Sequence, residues 1–285
     1  MVEVAESVAG VRASVDRARG EGRAVGLVPT MGALHDGHVR LIERCREEAG
    51  FVVVSIFVNP TQFGPNEDYT RYPRTFEADL ARCRGAGAAL VFAPTPEVIY
   101  PSGATSTFVE VPGLSEVLEG ASRPGHFRGV ATVVLKLFEI VRPDLAIFGQ
   151  KDYQQQLVIR RMVDDLHVPV RIVTEPTVRE ADGLAMSSRN RYLDPAQRQT
   201  ALGLFRALAE ARRAVAGGET SADRVRQILR ETLESSEGVR LDYAEVADGK
   251  TLEPIDRLGG GIRAVALVAA WVGSTRLIDN LALTE

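Results

Sequence analysis

The stretch Val25-Gly-Leu-Val-Pro-Thr-Met-Gly-Ala-Leu-His-Asp-Gly-His38 decides the fold predicted for this chain. Its first part continues an apolar run, 24–28, that has the length of a β-strand, and helical spacing of apolar residues begins at Val39. The turn between them contains two glycines, which let a ligand approach the backbone closely. The first turn of a helix presents unpaired N–H groups, so the sequence predicts a strand, a loop and a helix N-terminus suited to phosphate.

Two imidazoles, His35 and His38, lie at the start of this helix and match the His-x-Gly-His pattern. The pattern is similar to the nucleotide-binding motif of the class I aminoacyl-tRNA synthetase and nucleotidyltransferase superfamily. Two other interpretations stay open. The histidines could share a metal with Asp36 or Cys45, or they could simply be solvated in a turn.

Apolar runs that alternate with helical patterns predict an α/β fold. The run 51–58 is almost continuously apolar, as in a strand buried on both faces of a parallel sheet. We expect right-handed βαβ units, an open Rossmann-like sheet with helices on both faces, and ligands at the carboxyl ends of the strands. The other predicted elements are strands at 88–92, 108–111, 145–148 and 168–173, and helices at 4–19, 75–85, 130–141 and 153–166.

The polar segment 176–191 is the predicted boundary between two domains, 1–177 and 178–285. Beyond it, Asp194 and Pro195 are typical of a helix N-cap and first helical residue. A second helix is expected after a cap at Thr220, and three strands are expected at 241–246, 264–272 and 277–281. The second domain is therefore predicted to be small and α+β.

Composition places the chain among ordinary globular proteins. It has 285 residues, of which 45% are hydrophobic and 25% charged, with a formal net charge of −4. This charge and the lack of a basic block argue against a nucleic-acid binder. Two cysteines in predicted helices and the absence of a signal or membrane-spanning run lead us to expect a cytoplasmic protein with no membrane partner.

Four loops contain most of the candidate catalytic and ligand-binding residues: 29–38, 59–74, 149–152 and 183–190. Lys151 suits a phosphoryl oxygen, although Gly149-x-Lys-Asp alone equally fits a surface lysine. Ser187, Ser188 and Arg189 offer two hydroxyls and a guanidinium for terminal phosphates. Gln62 and Gln155 can bind hydroxyl and carboxylate oxygens, the alternatives being a loop-stabilising amide and a solvated helix face.

Other candidates are acids and bases in loops or on helix surfaces. Glu77 and Asp79 could help to hold Mg²⁺, or they could be solvated helix acids. Arg123, His126 and Arg128 could close over a substrate or decorate a loop.

Five stretches together resemble the pantothenate synthetase (pantoate–β-alanine ligase) family of that superfamily, and they are spread over about two thirds of the chain, from the N-terminal strand into the second domain. They are Pro29–His38, Ser55–Phe63, Tyr72–Thr75, Gly149–Tyr153 and Val178–Leu193.

The resemblance implies ATP-dependent condensation of pantoate with β-alanine to pantothenate, with release of AMP and pyrophosphate. It also implies Mg²⁺, a homodimer and a C-terminal lid domain. His38 matches the family's proton donor, and His35 and Lys151 are the other expected catalytic residues. The ATP-binding residues implied are Met31, Gly32, Ala33, Leu34, His35, Asp36, Gly37, His38, Gly149, Gln150, Lys151, Asp152, Val178, Met186, Ser187, Ser188 and Arg189. The expected substrate-binding residues are Asn59, Gln62, Tyr72, Arg123 and Gln155, and Asp79 is the candidate near the metal.

Chemistry predicts an acyl adenylate, because a carboxylate must acquire a better leaving group before an amine can displace it. No Ser-His-Asp arrangement is apparent, so catalysis is expected to depend on positioning and charge stabilisation around one triphosphate. The rival predictions are a nucleotidyltransferase of the same superfamily, which would not need an amine, and a nucleotide sensor, which would release no pyrophosphate.

Overall fold

The computed structural model describes residues 2–65, 67–103 and 106–284. The chain divides into two compact units. The N-terminal unit comprises Met1–Gln150 and Gln154–Pro176, and the C-terminal unit comprises Lys151–Tyr153 and Thr177–Glu285.

A six-stranded sheet, with every pair of neighbouring strands parallel, forms the centre of the N-terminal unit. Its order is β1-β4-β3-β2-β5-β6. The strands are β1 Glu3–Ala5, β2 Val25–Thr30, β3 Phe51–Ile56, β4 Leu90–Phe92, β5 Leu145–Gly149 and β6 Arg171–Glu175. Leu27 and Val28 of β2 and Val53 and Val54 of β3 are completely buried, as the continuous apolar runs predict for a sheet covered on both faces.

The connections between the parallel strands determine which face of the sheet each helix covers. The chain runs from β2 to β3 and β4 on one side, and then returns to β5 and β6 on the other. The helices of this unit are α1 Val8–Gly20, α2 Asp36–Glu48, α3 Phe76–Ala86, α4 Pro96–Ile99, α5 Glu119–Ser122, α6 His126–Val141 and α7 Tyr153–Asp165. Right-handed crossovers put α2 and α3 on one face and α1 and α6 on the other, and each of these pairs is in contact. The reversal lies between β2 and β5, and the carboxyl ends of strands at such a reversal are where open parallel sheets generally bind ligands.

The predicted fold class is confirmed, but the local predictions for two segments of the N-terminal unit, 3–5 and 108–111, are wrong. Residues 3–5 are not the start of a helix but an edge strand paired with β4, and α1 begins at Val8 after the N-cap Ser7. Residues 108–111 form no strand. The Val109 N–H instead donates to the Thr132 hydroxyl (2.9 Å), and Phe108 is half-exposed beneath the Arg128 guanidinium. In both cases a partner distant in sequence, rather than the local pattern, determines the backbone.

The C-terminal unit packs two helices on a three-stranded antiparallel sheet in the order β7-β8-β9. Its elements are α8 Pro195–Ala216, α9 Ala222–Glu234, β7 Val239–Asp248, β8 Ala264–Val272 and β9 Thr275–Ala282. The predicted cap at Asp194 is confirmed, because its carboxylate accepts from the Gln197 N–H at 2.8 Å. The predicted cap at Thr220 is wrong by one residue, since the Ser221 hydroxyl caps α9.

Both cysteines lie in helices, as predicted, and both are buried and unbridged. Burial raises the pKa of each thiol to about 12, so Cys45 and Cys83 are core side chains of low reactivity. Cys45 packs directly on β2, where a Cβ at Gly26 would lie 2.2 Å from its sulfur. Within the described ranges, no helix is long and apolar enough to cross a membrane.

Candidate active site

The loop that follows β2 has a left-handed backbone at two successive residues. Gly32 has φ 79° and Ala33 has φ 50°. The Thr30 hydroxyl donates to the Ser55 carbonyl at 2.7 Å and accepts from the Gly32 N–H at 3.1 Å, so the loop begins from a fixed point at the end of β2 and β3. This turn brings the chain directly into the first turn of α2.

A buried carboxylate holds the centre of this loop. The two oxygens of Asp79, which is 1% exposed, accept from the Ala33 N–H at 2.9 Å and the Leu34 N–H at 2.7 Å. The Thr75 hydroxyl donates to the same carboxylate at 3.1 Å. Both oxygens are therefore engaged in shaping the loop, a role that neither of the predicted alternatives, a metal contact or a solvated helix acid, included. Forty-five residues separate Asp79 from Leu34, so no local signal reveals it.

The histidine pair lies at the N-terminus of α2. His35 is the N-cap residue, and its N–H donates to Nδ1 of His38 at 3.3 Å. Because a backbone N–H can only donate, Nδ1 of His38 is the acceptor, and the neutral ring carries its proton on Nε2. The two rings are 4.1 Å apart. Two imidazoles are thus gathered at the positive end of a helix dipole, an arrangement suited to an anion.

Gln62 ends a short 3₁₀ helix, Pro60–Gln62, that follows β3. Asn59, 1% exposed, donates through its amide to Oε1 of Gln62 at 3.1 Å and to the Gly129 carbonyl at 3.2 Å. The Tyr100 hydroxyl orients the Asn59 amide by donating to its oxygen at 2.8 Å. The Gln62 NH₂ contacts the Met31 sulfur at 3.0 Å. The predicted residues Asn59, Gln62 and Met31 therefore form one contact group, in which the acceptor side of the Gln62 amide is occupied.

The backbone of Gln62 is held by a partly buried histidine and by an arginine that forms an ion pair. Nδ1 of His126 lies 2.8 Å from the Gln62 carbonyl oxygen, so Nδ1 carries the proton and donates. Nε2 then accepts from Arg123 at 3.1 Å. Burial, reinforced by the Arg123 charge, lowers the pKa of His126 to about 4, so the ring is neutral near pH 7.

Arg123 makes a two-point ion pair with Glu67, at 2.7 and 2.6 Å. Burial alone would raise the pKa of Glu67, but hydrogen bonding and the charge of Arg123 outweigh it, and the pKa is lowered. Arg123 also donates to the Gln62 carbonyl at 3.3 Å. Its direct contact with a substrate stays a prediction, while its contacts here support the position of Gln62.

Gly129 lets α6 approach the 3₁₀ turn. A Cβ at this position would lie 2.4 Å from the Thr61 carbonyl oxygen and 2.7 Å from the Gln62 nitrogen. A side chain here would push the turn, and Gln62 with it, away from α6.

Tyr72 and Gln155, the other two residues predicted to bind substrate, differ from each other in burial and contacts. Tyr72 is buried and packs edge-on against Phe63, with ring centroids 5.9 Å apart. Gln155 lies on α7 between Gln154 and Gln156, both of which are buried with bonded amides. The run of three glutamines is therefore not a solvated face. Only Gln155, partly exposed, makes no side-chain hydrogen bond to the described residues.

The C-terminal unit contains the other predicted phosphate-binding residues. Lys151 is partly buried and lies 3.6 Å from the Asp152 carboxylate. A hairpin runs from Val178 to Met186, closed by the Met186 N–H donating to the Val178 carbonyl at 3.0 Å. It leads into Ser187, whose hydroxyl accepts from the Arg189 N–H at 3.3 Å and caps the 3₁₀ helix Ser188–Tyr192.

The predicted site residues are thus divided between the units. The N-terminal unit holds Met31–His38, Asn59, Gln62, Tyr72, Asp79, Arg123, Gly149, Gln150 and Gln155. The C-terminal unit holds Lys151, Asp152, Val178, Met186, Ser187, Ser188 and Arg189.

No group of three or more His, Cys, Asp or Glu side chains among the described residues is arranged to hold a metal ion. The alternative in which His35 and His38 share a metal with Asp36 or Cys45 gains no support. Asp36 pairs with Arg82 at 2.7 Å, and Cys45 is completely buried.

The parallel sheet with its reversal at β2, together with the anchored histidine loop, is typical of the class of α/β proteins that bind nucleotides. A family model described as pantoate-beta-alanine ligase matches residues 3–282. The chain belongs to the pantoate–β-alanine ligase family, and it is an ATP-dependent ligase of that kind.

Several relatives match along their whole length. The chain is 54% identical over 282 residues to the pantothenate synthetase of Moorella thermoacetica, covering 99% of each chain. The crystal structure of pantothenate synthetase from Thermus thermophilus superposes with a TM-score of 0.94 at 48% identity, with full coverage of both chains. The ligase of Francisella tularensis, complexed with β-γ ATP and β-alanine, has a TM-score of 0.80 at 32% identity and is covered to 98%, with 99% of this chain matched.

Replacing Asp79 with Asn tests its anchoring role. The side-chain NH₂ group introduced by this change would face a backbone N–H of the loop, which would lose its acceptor. Leaving a buried donor without an acceptor costs about 1–3 kcal/mol. We expect the free energy of unfolding to fall by about that amount in urea denaturation, and binding of ATP to weaken in calorimetry. Glu77→Gln, which changes an exposed acid on the same helix, is the control. Unchanged unfolding and binding in Asp79→Asn would refute the anchoring role.

The partly buried His126 should make stability depend on pH. Its ordinary pKa is 6.5 and its pKa in the fold is about 4, so its contribution is complete above pH 6.5 and is lost as the pH falls towards 4. Between these two pH values His126 is protonated in the unfolded chain but neutral in the folded protein. The free energy of unfolding therefore falls by up to about 1.4 kcal/mol for each pH unit of acidification.

Urea denaturation between pH 7.5 and 4.5 measures this loss. We expect the free energy of unfolding to depend less on pH in His126→Gln than in the wild type. The control His167→Gln removes an exposed histidine and should show the same pH dependence as the wild type. Parallel curves for the wild type and His126→Gln would contradict the assignment of a ring that stays neutral in the fold.

Proposed function

We propose that this ligase acts through a pantoyl adenylate, with residues of both units binding ATP. The observation that carries the proposal is the loop after β2. Its backbone is fixed by Asp79, and its His38 ring presents a donor, Nε2–H, at a helix N-terminus. That arrangement suits a phosphate chain whose charge changes during reaction.

In the first step, a pantoate carboxylate oxygen attacks the α-phosphorus of ATP. The bond to the bridging oxygen breaks, and pyrophosphate leaves with the electron pair. We propose that His38, His35 and Lys151 stabilise the charge that develops on the phosphate oxygens, as preorganised donors do most effectively.

In the second step, the β-alanine amine attacks the acyl carbon, AMP leaves, and the nitrogen loses a proton to give the amide. No covalent bond to the protein is required. Water competes with the amine for the adenylate, so exclusion of solvent would protect the intermediate. That residues 178–285 form a domain that acts as a lid stays a prediction, as do the boundary at 177/178 and the homodimer.

Pantoate recognition is assigned to Gln62 and Gln155. The Asn59 amide occupies Oε1 of Gln62, so its NH₂ group is the side that would donate to a pantoate oxygen. Gln155 keeps both amide functions for a ligand. Asn59, Tyr72 and Arg123 would act here mainly by fixing the position of Gln62 and its loop.

We propose that Mg²⁺ binds chiefly through the phosphate oxygens of ATP, ligands that this ion prefers, and neutralises part of their charge. Asp79 fits a direct metal contact poorly, because both of its oxygens accept hydrogen bonds from the loop.

Product analysis tests the reaction. Incubation of the protein with ATP, Mg²⁺, pantoate and β-alanine should yield pantothenate, AMP and pyrophosphate in equal amounts by mass spectrometry. Omission of β-alanine should leave at most one enzyme equivalent of pyrophosphate and almost no AMP. Continued AMP release without the amine, or a dinucleotide-like product, would instead indicate simple hydrolysis or a nucleotidyltransferase.

Loss of one charge-stabilising donor should slow adenylate formation. We expect Lys151→Ala and His38→Ala each to reduce the single-turnover rate of pyrophosphate release by roughly 10²–10³, equivalent to about 3 kcal/mol, without unfolding the protein. Lys250→Ala removes an exposed lysine of the same unit and serves as control. A wild-type rate in folded Lys151→Ala would refute its assignment.

A further inference from the structure

β9 contains two adjacent buried polar residues, Asp279 and Asn280, which are 4% and 3% exposed. Neighbouring strand residues point to opposite faces of the sheet. Asp279 is paired in register with Val268, which belongs to the core packed under α8 and α9, and Asn280 is paired with Leu267. Burial of polar groups is costly unless they are bonded, so the partners of this pair indicate its purpose.

Asn280 holds the backbone of the lysine loop. Its side-chain NH₂ donates to the carbonyl oxygen of Lys151 at 2.8 Å. The ammonium group of Lys151 makes a long contact of 3.6 Å with Asp152, an acid that is half-exposed. The Asn280 contact is therefore the stronger constraint on where the Lys151 peptide lies within the C-terminal unit.

Asp279 holds the hairpin that leads to the serine loop. Its carboxylate makes a two-point ion pair with Arg179, at 2.7 and 2.9 Å, and the Arg179 guanidinium lies 4.3 Å above the Phe205 ring. Arg179 is bridged to Ala185 on the other arm of the hairpin. The residues that follow this arm are Met186 to Arg189.

We propose that Asp279 and Asn280 are positioning residues for ATP, one fixing the Ser187–Arg189 segment and the other fixing Lys151. Their α-carbons are consecutive and about 3.8 Å apart, so one rigid strand sets both loops relative to each other. This inference rests on the proposed function, in which both loops contact phosphates. Misplacement of a catalytic donor by about 1 Å can cost roughly 10²-fold in rate.

Removal of the Asn280 amide tests the first contact. We expect Asn280→Ala to slow single-turnover pyrophosphate release by roughly 10- to 100-fold, while KM for β-alanine stays unchanged. Lys250→Ala is the control, because it removes an exposed side chain of the same unit. If Asn280→Ala fails to fold, Asn280→Ser, which retains a donor group at this position, is measured instead, and an intermediate rate is expected.

A double-mutant cycle with Lys151→Ala distinguishes positioning from general loss of structure. If Asn280 acts through Lys151, the double variant should be no slower than Lys151→Ala alone, within about twofold. Independent, multiplicative losses, or a wild-type rate in Asn280→Ala, would overturn the inference and leave the proposed function intact. A wild-type rate in Lys151→Ala would overturn both.

The second contact is tested by Arg179→Lys, which keeps the charge but loses the two-point geometry. We expect KM for ATP to rise several-fold and the reaction of preformed adenylate with β-alanine to be unaffected. An unchanged KM for ATP would overturn the role of Asp279, and so would an equal effect on the amine step, because that would indicate a general structural defect.

Discussion

The structure depends most on one buried carboxylate. Asp79 accepts two hydrogen bonds from consecutive amides, those of Ala33 and Leu34, and so holds a left-handed turn that an alanine does not adopt readily. Without that anchor, the step from β2 into α2 would have several available conformations. With it, the histidines reach the helix N-terminus in one geometry, and the proton of neutral His38 is assigned to Nε2.

The same principle operates at the other predicted sites. Gln62 is held through its backbone by His126 and Arg123 and through its side chain by Asn59, and the Lys151 peptide is held by Asn280. In each case a buried or partly buried polar residue bonds to backbone or amide groups of a loop, and most of these partners are distant in sequence. Preorganisation of this kind is what charge stabilisation requires, because donors that are already oriented do not have to reorganise during the reaction.

Much of the fold was predictable because the local patterns are strong. Long apolar runs at β3 and β5 and the helical spacing of α6 were recognised from single segments, and the caps at Asp194 and near Ser221 were located to within one residue. Short elements were not predictable. The three residues of β1 and the segment 108–111 carry too few side chains to show a period, and a neighbouring strand or a Thr132 hydroxyl decides their backbone.

The sequence by itself determined the fold class, the family and the identity of the candidate residues, because strand length, helical spacing and loop motifs are local properties of the chain. Only the tertiary structure decided what Asp79, Arg123 and His126 do. Each was a candidate for direct contact with a ligand or metal, and each proves to be bonded to a loop that carries other candidates. The physical reason is that burial and hydrogen-bond partners arise when segments about 40 or more residues apart pack together, as with Asp79 and Leu34 or His126 and Gln62.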